Sequence, residues 1–125
     1  MMQKVFLGIQ VVAGLMLVVF GLNKFLDFIP MAAPAPEMGT YMSALFATGF
    51  IFPLIAVIEI VSGLAFISNK FASFMVLIMA PVMVNAFLAH LFLDPAGIAG
   101  AAFISFALII IMIRNKDRYK EIFKV

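Results

Sequence analysis

The chain has 125 residues, of which 66% are hydrophobic and 11% charged, and its net charge is +2. That balance lies far outside the soluble average and marks one integral membrane domain. With no cysteine and one histidine, thiol–disulfide chemistry and thiolate metal sites are excluded, and an intrinsic haem or zinc cage has no ligand set.

Val5–Leu22 opens the chain with 18 uncharged residues, enough to cross a hydrocarbon core. The run exceeds a signal-peptide core, and Pro34 and Pro36 crowd the Ala-Pro-Ala at residues 33–35, so we read a retained helix. Asn23 to Asp27 extend this first helix to about residue 28, with Lys24 and Asp27 as i,i+3 neighbours able to pair. Pro30 stops it. Met31 to Thr40 reads as an irregular loop, given its prolines and Gly39. The second helix is predicted over 41–67, about 40 Å long. Pro53 kinks it, and Gly49 and Gly63 leave room for close helix contact. A short turn at Ser68–Lys70 leads antiparallel into a third helix over 71–93, with Pro81 as a second kink. Asp94–Gly97 closes it. The fourth helix, 98–113, begins with small residues, and the basic tail 114–125 is expected to lie helical on the membrane surface.

Charge placement orients the bundle. With a cytoplasmic N-terminus, Lys4, Lys70, Arg114, Lys116, Arg118, Lys120 and Lys124 fall inside and Lys24 alone outside. The positive-inside rule favours that arrangement over its inverse. The expected fold is therefore an all-α membrane protein, a four-transmembrane-helix antiparallel bundle with both termini inside, spanning residues 1–125 as a single domain. The basic tail suits a topology anchor in contact with the lipid bilayer better than a nucleic-acid patch.

Within this apolar frame Glu59 is the organising residue, because lipid cannot solvate a carboxylate at mid-span. Counting along the helix puts it about 12 Å from the cytoplasmic boundary, with Gln10 of the first helix at a similar level. A second polar layer at the outer mouth holds Lys24, Asp27, His90 and Asp94, with Asn85 somewhat deeper. His90 and Asp94 are i,i+4 on one face, so the carboxylate could orient the imidazole. These seven residues are the candidates for ligand binding or proton handling. Each has a plainer reading as well: solvated charges at helix ends, or, for Gln10, a helix–helix hydrogen bond. No catalytic residue and no metal site is assigned, since no nucleophile–base pair or ligand cluster is visible.

The first helix reads Gly14-x5-Phe20-Gly21-x2-Lys24-Phe25, the second Glu59-x3-Gly63, and the third ends with His90 before an Asp-Pro turn. In this order and spacing the chain resembles the DoxX and DoxX-like small four-helix bacterial membrane proteins over nearly its whole length. The resemblance implies a bundle in the bacterial inner membrane. Some members of that family are membrane subunits of redox assemblies, including one that reduces quinone. Its polar pattern would fall on Lys24, Glu59 and His90.

Three functions remain open at this point. The first is a subunit that binds a lipophilic molecule such as a quinone at Glu59, with no intrinsic cofactor and with electrons supplied by a redox partner protein. The second is a small proton-coupled transporter that uses Glu59. The third is a structural or assembly subunit without a ligand, in which Glu59 pairs with Gln10. A homo-oligomer is compatible with all three.

Overall fold

The computed structural model describes residues 1–125 and is entirely helical. Five α-helices follow in order: α1 (Met2–Leu26), α2 (Pro36–Ala47), α3 (Ile51–Ser68), α4 (Ala72–Leu93) and α5 (Ala99–Arg114). Short 3₁₀ turns occupy Pro95–Gly97 and Lys116–Tyr119. By length and composition α1, α3 and α4 are long and apolar enough to cross a membrane, and α5 is a shorter apolar helix. Only 25 of the 125 residues are buried. A chain this apolar therefore carries most of its hydrophobic side chains outward, which calls for an apolar surrounding. Leu54, Leu64, Phe74, Phe92, Phe106 and Ile109 are all exposed.

The predicted second helix is in fact two helices. Pro36 opens α2 at a position where its fixed φ is already helical, and Glu37 in the first turn complements the positive helix end. The segment expected to be an irregular loop up to Thr40 is thus partly helical. At Thr48–Phe50 the chain breaks: Gly49 takes φ +79°, and Thr48 Oγ1 accepts the N–H of Ile51 at 3.2 Å. Pro53 then falls in the first turn of α3, where its missing N–H has no helical acceptor to lose. It permits a helix start here, and the expected mid-helix kink does not form. Gly49→Ala meets no neighbouring atom but puts a Cβ in the left-handed region. The expected cost is about 1–2 kcal/mol, read as a lowered unfolding midpoint in detergent.

Other boundaries shift for equally local reasons. The first helix ends at Leu26, two residues earlier than expected, because Asp27 adopts the left-handed conformation as C-cap and sends its N–H to the Asn23 carbonyl. Asn23 Oδ1 also accepts the Ile29 N–H at 2.8 Å, which fixes the turn that follows. The tail does not lie out as a surface helix. It folds back through the Lys116–Tyr119 turn, where the buried Tyr119 donates its hydroxyl proton to the Ser73 carbonyl at 2.8 Å. Burial pushes the Tyr119 phenol up against the opposing pull of Arg118, so it stays a neutral donor at physiological pH.

The core lies where α1, α3, α4 and α5 meet, around Leu17, Phe66, Val76, Met79, Ile104 and Ile111. The most extensive helix contact joins α1 to α3 rather than chain neighbours. These two run antiparallel: Gln10 meets Phe66, Gly14 meets Gly63, and Gly21 meets Ala56 and Glu59. The facing stripes are Gln10, Gly14, Leu17, Gly21, Lys24 on α1 and Ala56, Glu59, Gly63, Phe66 on α3, alternating steps of three and four residues as an antiparallel coiled pair requires.

Candidate functional site: an ion pair between two apolar helices

Lys24 Nζ donates to Glu59 Oε2 at 2.8 Å. Side-chain direction explains why two residues with well-separated Cα levels meet. In a helix the Cα–Cβ bond tilts toward the N-terminus. Lys24, near the end of α1, therefore leans down along the bundle, and Glu59 on antiparallel α3 leans up toward it. Gly21, one turn before Lys24, makes the approach close enough. A Cβ there would lie 2.9 Å from the Ala56 carbonyl oxygen and 3.2 Å from Glu59 Cβ.

The pair is partly shielded, with side-chain exposures of 22% for Lys24 and 11% for Glu59. Glu59 Oε1 accepts no hydrogen bond from the chain, so the pair retains one acceptor oxygen and two ammonium protons. One turn along α3 on the same side, the Ser62 hydroxyl is fully buried and has no partner. The site therefore keeps donors and an acceptor that the chain itself does not use.

The other candidates are dispersed. Asp27 does not pair with Lys24; it is exposed as the C-cap of α1. Gln10 does not pair with Glu59. Its amide donates to the Phe66 carbonyl at 3.0 Å and to Asn69 Oδ1 at 2.9 Å, and its oxygen accepts from Arg114 at 3.4 Å. It lies about 10 Å further along α3 than Glu59, seven residues at 1.5 Å each. Asn85 donates to the Tyr41 hydroxyl and ties α4 to α2. His90 and Asp94 stand beside each other around Gly97, where a Cβ would lie 3.3 Å from His90 Nδ1 and 3.4 Å from Asp94 Oδ2. No hydrogen bond joins the two side chains, and His90 Nδ1 is buried without a partner. The bond between these residues runs instead from the Asp94 backbone N–H to the His90 carbonyl. Of seven candidates, then, only Lys24 and Glu59 form one site.

Sequence reasoning places Ser62 in the layer around Glu59, but it misses Gly21 as a neighbour of the pair, and Tyr41 and Arg114 as partners of Asn85 and Gln10. A signal for Gly21 was present: it continues the Gln10–Gly14–Leu17 stripe to Lys24. Comparison with protein-family models, with curated proteins and with solved structures gives no match to this chain.

Proposed function

We propose that the chain is a multi-pass protein of the bacterial inner membrane whose Lys24–Glu59 pair holds the polar head of a lipophilic molecule. In this reading α1, α3, α4 and α5 are four antiparallel spans with both termini cytoplasmic. Two observations support the topology: α1 and α3 pack antiparallel, and the start of α1, the α3–α4 turn and the end of α5 meet at one end, where Gln3, Asn69 and Arg114 line a common cavity. Seven of the eight basic residues belong to the segments at that end. The observation that carries the function is a partly exposed ion pair between two predominantly apolar helices. An intramembrane charge is costly, and the pair's unused donors and acceptor match a carbonyl-bearing head such as that of a quinone. The resemblance to DoxX-like proteins points the same way. A quinone-linked role would make this chain a membrane subunit of an oxidoreductase assembly, with the electrons delivered by a partner protein.

One observation favours a second reading, a structural subunit without ligand. Two concavities of the chain lie away from the pair, one at the basic end and one as an apolar groove along Val61, Leu64 and Phe74. Lys24 already neutralises Glu59, so the pair can serve as a staple between α1 and α3. Proton-coupled transport draws less support, because the Lys24 ammonium occupies the place a cationic substrate would take.

Mass spectrometry of lipophilic molecules co-purifying in mild detergent separates the first two readings. The samples are the wild type, Glu59→Gln, and the double variant Lys24→Met/Glu59→Met, which removes both charges together. A single species enriched with the wild type and lost from both variants is the expected result. The same bulk lipids in all three would overturn ligand binding and leave the staple.

A further inference from the structure

The basic end of the bundle encloses a cavity of about 180 Å³ lined by Gln3, Asn69, Ala72, Arg114, Asn115 and Arg118. That is about six liquid-water volumes. Its wall carries two guanidinium groups and no carboxylate. The ion pairs of the chain are Lys24–Glu59, Lys120–Asp117 and Lys124–Glu121, so the acids of the tail are taken by its lysines and neither arginine has a counter-charge.

One of the two guanidinium groups is held in place by the chain. Arg114 is oriented by the amide oxygens of Gln3, at 3.1 Å, and Gln10, at 3.4 Å. Asn69 Oδ1 is occupied by Gln10, so the amide NH₂ groups of Gln3 and Asn69 are the unengaged parts of those two side chains. Arg118 is exposed and its side chain makes no hydrogen bond; it follows the wall next to Tyr119, which is buried and anchored to the Ser73 carbonyl. Ala72 opens α4, a helix of 22 residues, and its end adds partial positive charge to the same wall.

We propose that this cavity binds a phosphate group, held between Arg114 and Arg118 with the amides of Gln3 and Asn69 as further donors. Planar guanidinium groups pair with phosphate oxygens through charge-assisted, bidentate bonds, and the cavity supplies two of them with no internal acid to compete. The site is separate from the Lys24–Glu59 pair and stands whether or not that pair binds a ligand. Phosphate can reach it from two sources, a free anion in the aqueous phase or the headgroup of an anionic lipid.

Isothermal titration calorimetry of the full chain in detergent tests this with inorganic phosphate, dihexanoyl phosphatidic acid and, as control, dihexanoyl phosphatidylcholine, whose phosphate is a diester blocked by a choline cation. Arg118→Gln removes a guanidinium that makes no hydrogen bond within the chain, so the fold is retained, and far-UV circular dichroism checks it. Arg114→Gln is the second variant. We expect one-to-one binding of at least one phosphate probe, weakened about tenfold or more by Arg118→Gln. Binding of inorganic phosphate identifies a soluble anion; binding of phosphatidic acid alone identifies a headgroup. The proposal is overturned by any of three results. Neither phosphate probe binds, phosphatidylcholine binds as well as phosphatidic acid, or both arginine variants keep wild-type affinity.

Discussion

Removing either charge of the Lys24–Glu59 pair is expected to cost more than removing both. Lys24→Met leaves a carboxylate between two apolar helices, and Glu59→Met leaves an ammonium there. Breaking a buried pair from one side costs about 3–5 kcal/mol, whereas replacing both partners with apolar groups of similar volume is often neutral. Lys24→Met is the costlier single change, about 3–5 kcal/mol, because the Glu59 carboxylate that it strands is only 11% exposed. Glu59→Met sits at the upper end only if the stranded ammonium stays in place; Lys24 is near the end of α1 and can turn outward to relieve part of the penalty. Denaturation of the four proteins in mixed detergent micelles, followed by far-UV circular dichroism, gives the double-mutant cycle. A coupling near zero would mean that the two charges do not meet, and the site described above would be lost with it.

Gly63→Ala is expected to be the most disruptive single-methyl change in the chain. A Cβ at Gly63 would lie 2.5 Å from the Gly14 carbonyl oxygen and 2.9 Å from the Val18 backbone nitrogen. Backbone atoms cannot rotate out of the way, so α1 and α3 must separate. Overpacking of this kind costs about 1–3 kcal/mol, occasionally more, and the separation also stretches the Lys24–Glu59 contact one turn along α3. Gly8→Ala is the matched control. Nothing lies within 4 Å of a Cβ there, and the gain in helix propensity predicts a neutral or stabilising change of up to about 1 kcal/mol. Equal unfolding midpoints for the two variants would show that α1 and α3 are not packed backbone to backbone.

Much of this arrangement is legible in the sequence, and the misses share a cause. Glu59 stands out because a lone carboxylate in an apolar run must be compensated, and Gly63 stands out as a small residue one turn away. The helical character and the three long apolar stretches follow from composition and run length. Counting depth along Cα positions does not single out the partner of Glu59. That places Lys24 at one level and Glu59 at another, and it ignores the opposite lean of side chains on antiparallel helices. Counting depth also set Gln10 beside Glu59, although the register fixed by Gly14 and Gly63 carries it to Phe66. The break at Thr48–Phe50 is hidden by the largely apolar character of residues 41–67. Pro53 suggests a distortion within one helix, whereas with Gly49 four residues earlier it marks the start of another. His90 and Asp94 have the spacing of a pair on one helical face, but Asp94 is already the C-cap of α4, with extended φ of −156°.

The 35-residue separation of Lys24 from Glu59 has a consequence for biosynthesis. If α1 and α3 enter a bilayer in chain order, Lys24 emerges well before its counter-ion exists. At about 5–20 residues per second the wait is about 2–7 s. During that interval the lysine has to extend outward to the headgroups, as long basic side chains near a helix end do. It turns inward only when α3 arrives beside α1. In that order α1 inserts on its own hydrophobicity and α3 inserts against a waiting charge.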